Sequence, residues 1–201
     1  METFQIKNFN IGNLSNIGTK TIEEHLKLYG AYVKNANIVF QKIKELEQEK
    51  EKNTYAINEV RRRLSFEIGG GKNHEIYFDS LSDGAQKPNE ESLFFKKVLE
   101  DFDSFENFIQ QIKECATTRG IGWVMVYFDK EINKLIISWV DEQHIGQLAG
   151  LPAVLCLDMW EHSYYLDFAP SEKNKYVEAF FENLNWSKIE NAQTSKKVKQ
   201  I

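Results

Sequence analysis

The chain has 201 residues, 42% apolar and 13% aromatic, with 27% charged and a net charge of −5. That is enough apolar material for one substantial core or two small domains, and it excludes a disordered polyanion. The acidic balance argues against a nucleic-acid partner, which calls for a surplus of Lys and Arg, and no stretch reaches the ~18 apolar residues of a membrane span.

The first residues lack a basic-then-apolar secretion pattern, and Cys115 and Cys156 have no CxxC spacing. Reduced, buried thiols in a cytoplasmic protein are therefore expected, with no membrane partner. Residues 1–18 read as an extended arm carrying Phe4, Ile6, Phe9 and Ile11. A first helix is predicted from Thr21, where Thr21-Ile22-Glu23-Glu24 has the form of a capping box. His25, Tyr29, Tyr32, Ala36, Val39, Ile43 and Leu46 follow at spacings of three and four on one face, before the charged run from Glu45 to Lys52.

A second helical pattern starts near Tyr55 and contains Arg61-Arg62-Arg63, read as a solvated edge. Gly69-Gly70-Gly71 interrupts it, and each glycine costs about 1 kcal/mol relative to Ala in a helix. Either the helix breaks there or another part of the chain comes close. Asp83-Gly84 and Pro88 mark a loop, which divides the chain into residues 1–85 and 86–201. Glu91 to Asp101 reads as helix, and Asp103-Ser104-Phe105-Glu106 has the form of a second capping box. Trp123 to Phe128 and Leu135 to Val140 then read as a hairpin and Ala153 to Leu157 as a third strand. An amphipathic helix after Pro170 carries Tyr176, Val177, Phe180, Phe181 and Leu184, and the last dozen residues are expected to fray.

Four histidines occur, at positions 25, 74, 144 and 162. Asp158-Met159-Trp160-Glu161-His162 leaves the third strand and puts a carboxylate and an imidazole four residues apart. Such a pair suits iron, manganese or zinc and not calcium, which takes oxygen ligands.

The segment Asp158-Met159-Trp160-Glu161-His162-Ser163-Tyr164-Tyr165 resembles the D-x-W-E-H-A-Y-Y signature of the iron/manganese superoxide dismutases. Lys72-Asn73-His74-Glu75-Ile76-Tyr77-Phe78, Tyr32-Val33-Lys34-Asn35-Ala36-Asn37, Gly120-Ile121-Gly122-Trp123 and Asn185-Trp186 are similar to other segments of that family. The resemblance implies an α+β fold: an N-terminal antiparallel helical hairpin, then an α/β domain with a three-stranded antiparallel sheet. It implies one iron or manganese ion per subunit, held by His25, His74, Asp158, His162 and a solvent molecule. The reaction would convert superoxide to dioxygen and hydrogen peroxide. With one carboxylate among neutral imidazoles, reduction coupled to proton uptake leaves the buried charge unchanged.

The resemblance further implies that Tyr32 and one residue of Glu142-Gln143-His144 stand next to the bound solvent. An acid-x-histidine pattern makes His144, rather than Gln143, the expected one. Trp123, Trp160 and Tyr29 would wall the pocket. Glu161 and Tyr165 would lie at the interface of a homodimer or higher oligomer. This chain departs from the family pattern at Leu28 and Tyr29, where a histidine pair is usual, at Gly70, where some members have glutamine, and at Lys173, where arginine is usual. An ungapped match back from Tyr32 puts Glu24 at the first ligand, whereas a one-residue deletion puts His25 there. His25, Tyr29 and Tyr32 at i, i+4 and i+7 share one helix face, which favours His25. An alternative is a dismutase-like fold kept as a metal-binding or interaction module without dismutase activity; a zinc site is another.

Overall fold

The computed structural model describes residues 3–194. An extended arm leads into helix α1 (Thr19–Leu46), a short 3₁₀ turn (Glu47–Glu49) and helix α2 (Lys50–Ser80), which together make a long antiparallel hairpin. The stripe read from the sequence is buried at His25, Tyr29, Tyr32 and Ala36, joined by Ile22 and Val33, and only half-buried at Val39, Ile43 and Leu46.

Two local expectations change. Helix α1 starts at Thr19, and Thr21 does not cap it with Glu24. Instead Asp167 accepts from the Gly18 backbone N–H (2.7 Å) and the Thr21 hydroxyl (2.7 Å), so a carboxylate 146 residues away from Thr21 serves this helix end. Glu24 is exposed and bonds to Lys27 at 2.8 Å.

Helix α2 runs unbroken through Gly69-Gly70-Gly71, so close approach is the reason for the glycines. A Cβ on Gly69 would stand 2.3 Å from the Gln143 carbonyl oxygen, and one on Gly70 would stand 2.4 Å from the Tyr32 ring. Helical propensity is given up there so that a loop and a neighbouring helix can pack on backbone.

Helices α3 (Leu93–Phe102) and α4 (Phe105–Ala116) follow the loop. Ser92 caps α3 by accepting from the Phe95 N–H; Ser104, not Asp103, caps α4 by accepting from Asn107. The sheet comprises β1 (Gly122–Asp129), β2 (Lys134–Asp141) and β3 (Ala153–Asp158), antiparallel in the order β2-β1-β3. Its register sets Trp123 opposite Asp158, so a wall residue and a carboxylate meet at one end of the sheet. Helix α2 lies beside β3, and α5 (Lys173–Glu182) and α6 (Trp186–Thr194) complete the second part.

Helix α6 is absent from the sequence reading. Its segment is polar apart from Trp186, Ile189 and Ala192, and it is held by Ile189 (1% exposed) and by the Lys188–Asp83 bridge. The expected fraying of the last dozen residues lies mostly outside the described residues. No helix among the described residues is long and apolar enough to cross a membrane. Cys115 and Cys156 are both unpaired, the first half-buried and the second buried.

Candidate metal centre

Four side chains from both parts of the chain converge at the sheet end. His25 comes from near the N-terminal end of the buried α1 face and His74 from α2, one turn beyond the glycines. Asp158 ends β3, and His162 sits in the 3₁₀ turn Glu161–Ser163 that follows. The Asp158 Oδ2 atom is 3.1 Å from His25 Nε2, 3.2 Å from His162 Nε2 and 3.5 Å from His74 Nε2. One candidate donor atom from each residue lies within 4.8 Å of all the others.

The protonation pattern fits a metal. His74 Nδ1 lies 2.6 Å from the Gly70 carbonyl oxygen, an acceptor only, so this nitrogen carries the proton and donates. The lone pair of Nε2 is thereby turned into the cluster, where that buried atom has no hydrogen-bond donor. A backbone carbonyl that fixes the tautomer and leaves the other nitrogen basic is the usual support of a metal-bound imidazole. Burial holds the His74 imidazole down at about 3, with the His25 charge adding to the effect. Burial lowers His25 as well, against the pull of Asp158. Burial pushes the Asp158 carboxyl upward, but the His162 charge and the hydrogen bonds from His162 and His25 outweigh it and hold it well below the carboxylate range. The arrangement is one carboxylate and three imidazole nitrogens drawn together at a largely buried point, a donor set for a transition-metal cation.

The Asp158 geometry is fixed locally. Its Oδ1 accepts from the Trp160 N–H at 2.8 Å, and its backbone carbonyl accepts from the Ser163 hydroxyl at 3.1 Å. Trp123 packs edge-on against His74 (4.9 Å between centroids) and Trp160 stacks on His162 (5.8 Å). Tyr77 and Phe78 touch His25 at 5.0 and 4.9 Å and belong to this lining too. The sequence reading placed both in the segment around His74 that resembles the family but gave them no role at the site.

Tyr29, expected at the wall, does something else. Its ring packs on Phe9 and Phe78, and its hydroxyl accepts from the Lys7 N–H at 3.0 Å, so it anchors the N-terminal arm.

Beside the cluster, Tyr32 lies 5.3 Å from the His74 ring and joins a directed network. The Trp123 Nε1–H can only donate, so it orients the Gln143 amide with Oε1 towards it at 2.9 Å. The Gln143 Nε2 then donates to the Tyr32 hydroxyl oxygen at 3.0 Å, leaving the tyrosine proton free to be given elsewhere. Burial, together with the negative charges of Asp158 and Glu67, pushes the Tyr32 hydroxyl up to about 12, so it keeps that proton at neutral pH.

His144, expected to reach the site, faces another way. Glu142 takes a left-handed conformation (φ 51°), after which Gln143 is fully buried, whereas the His144 ring lies half-buried against Phe66 at 5.8 Å. Asn73 and Gln147 explain why the loop holds this course. Both donate to the Gln143 carbonyl at 3.0 Å, the same oxygen that Gly69 makes room for. These two anchors were not read from the sequence; Asn73, adjacent to a histidine inside a matched segment, carried the only signal.

A helical hairpin packed on a three-stranded sheet unit, with three imidazoles and one carboxylate closing on one point between them, defines a mononuclear metalloprotein. Comparison with known families gives the class its name. Residues 12–82 match the alpha-hairpin domain of the iron/manganese superoxide dismutases and residues 90–192 match their C-terminal domain. An iron superoxide dismutase of Mycobacterium tuberculosis is 33% identical over 168 residues, 83% of this chain and 79% of the relative. A manganese superoxide dismutase of Mycobacterium kansasii is 34% identical over 164 residues, 81% and 98%. An iron superoxide dismutase of Tetrahymena pyriformis is 32% identical over 171 residues, 83% and 86%. The chain belongs to the iron/manganese superoxide dismutase family, and the His25-His74-Asp158-His162 cluster is consistent with a single iron or manganese ion.

Proposed function

We propose that this chain disproportionates superoxide to dioxygen and hydrogen peroxide, with His25, His74, Asp158 and His162 holding the metal. The observation that carries the reading is the convergence of three Nε2 atoms on one Asp158 oxygen, with the His74 tautomer fixed by Gly70. Iron or manganese supplies the one-electron chemistry when bound.

The chain's own groups supply the rest. Peroxide formation consumes two protons, and Tyr32, protonated at neutral pH and with its own proton uncommitted, is the residue suited to deliver one. Gln143, oriented by Trp123, takes the role expected of His144, that of hydrogen-bonding beside the metal and setting the proton affinity there. The buried aromatic lining of Trp123, Tyr77 and Phe78 excludes competing polar ligands.

Assembly is part of this reading. His162 keeps 23% of its side chain exposed, and Glu161 beside it is exposed without a salt-bridge partner among the described residues. Tyr165 and Leu166, which follow closely in the chain, are exposed apolar side chains as well. A homodimer in which Glu161 of each copy accepts from His162 of the other would cover that face. Two unpaired cysteines support a reducing compartment such as the cytoplasm, and the loop between α2 and α3 supports a division near residue 85.

The test is metal analysis with a superoxide assay on the purified protein, alongside His25→Ala and Glu24→Gln. Stoichiometric iron or manganese and dismutation are expected in the wild type and in Glu24→Gln, and loss of both in His25→Ala. A metal-loaded, active His25→Ala would sink the ligand assignment, and a stable metal-loaded monomer in sedimentation at micromolar concentration would sink the dimer.

A further inference from the structure

The run Arg61-Arg62-Arg63 on α2, read from the sequence as a solvated edge, divides in the structure. Arg61 is tied through a terminal nitrogen to Glu47 at 2.6 Å, and Arg62 to Glu59 at 2.7 Å. Arg63 is held differently. Its Nε donates to Glu67 at 2.8 Å and its guanidinium carbon lies 3.8 Å from the centroid of the Phe66 ring. Its two terminal nitrogens have no hydrogen-bond partner among the described residues.

Phe66 connects this cation to the site. The half-buried Phe66 ring lies 5.8 Å from Tyr32 and 5.8 Å from His144, and Tyr32 in turn lies 5.3 Å from His74. A column of side chains thus runs from a cluster histidine through Tyr32 and Phe66 to Arg63 at the surface. The ion pair in it has a direction. The Glu67 side chain is 5% exposed and that of Arg63 is 55% exposed, so an anion approaching from solvent meets the cation first. Stacking and the Nε bond hold the guanidinium plane in place with its free fork outward.

We infer that Arg63 is an anion-recruiting residue, which draws the small monovalent substrate to the rim formed by Phe66 and His144 above Tyr32. The inference rests on the dismutase reading above. A chain with net charge −5 repels an anion at long range, and a fixed cation at the rim offsets that locally.

The experiment compares metal-loaded wild type, Arg63→Gln, Arg63→Lys and Arg61→Gln, the last making the same charge change on a residue held away from Phe66. Measured are kcat and kcat/KM for superoxide between about 10 and 200 mM ionic strength, and azide affinity by spectroscopic titration. Arg63→Gln should lower kcat/KM about threefold at low salt with kcat unchanged, lose that deficit at high salt and bind azide more weakly. Arg63→Lys should recover most of the loss, and Arg61→Gln should behave as wild type. Equal salt profiles and azide affinities for Arg63→Gln and Arg61→Gln would overturn the inference, as would a fall in kcat alone, which would mark a structural role under Tyr32. An inactive wild type would instead overturn the dismutase reading.

Discussion

Replacing Gly70 by Ala separates two opposed effects of known size. In a free helix the change gains about 1 kcal/mol. Here the new Cβ would stand 2.4 Å from one Tyr32 ring carbon and 2.7 Å from two others. Restoring a carbon contact of about 3.5 Å requires the ring to retreat by about 1 Å. Overpacking of that kind costs about 1–3 kcal/mol. The retreat also breaks the 3.0 Å bond from Gln143 to the Tyr32 hydroxyl, worth about 1 kcal/mol. The balance is a loss of about 2 kcal/mol, or about 4–8 °C in Tm for a chain of this size. Gly71→Ala is the internal control. Its Cβ would meet only a Val33 methyl at 3.7 Å, an ordinary contact, so the helical gain should appear as a stabilisation of about 0.5–1 kcal/mol. Both variants are compared with wild type by thermal and urea unfolding of the metal-free protein. If Gly70→Ala is as stable as Gly71→Ala, the close approach of Tyr32 is not the reason for the glycine, and the account of this helix is wrong.

Two further outcomes are expected. The metal-free protein should lose stability as pH falls below about 6.5: His74 resists protonation down to about 3 when folded and His25 is lowered likewise, so the unfolded chain takes up protons that the folded one refuses. Asp158, depressed in the fold, gives up its contribution only at still lower pH, and a urea midpoint that is flat or rising from pH 7 to pH 5 would contradict the buried neutral imidazoles. Asp167→Ala removes both bonds to the start of α1 and should cost about 1 kcal/mol, with faster amide exchange confined at first to Thr19–Ile22; unchanged protection there would show that α1 needs no cap from across the chain.

The sequence was most readable where the chemistry is local. The stripe from His25 to Ala36, the two long strands and the Asp158–His162 segment follow from periodicity and adjacent residues, and they appear as expected. What escaped depends on distant partners. Thr21-x-x-Glu24 has every local feature of a capping box, yet Asp167 answers the backbone instead. Three glycines argue for a break by propensity alone, and only the Gln143 carbonyl and the Tyr32 ring, both brought from elsewhere, turn them into a packing surface. The choice between Gln143 and His144 turned on a single left-handed residue, Glu142, which no pattern of types announces.

The two carboxylate-and-imidazole partners nearest in sequence, Asp158 and His162, are four residues apart, whereas Asp158 and His25 are separated by 133. Closing loops of that length costs entropy before any contact repays it, so the complete four-residue cluster is expected among the last features the chain assembles. A metal ion arriving during synthesis would find at most a two-point hold on the later segment and none of the arrangement that favours one ion over another. Selectivity is therefore a property of the nearly finished fold. Once the hairpin has closed over His74 and the arm is latched through Tyr29, exchange of the ion requires those same long-range contacts to open again. On the proposed ligand set, release of the ion should therefore follow the rate at which those contacts open, as well as its affinity.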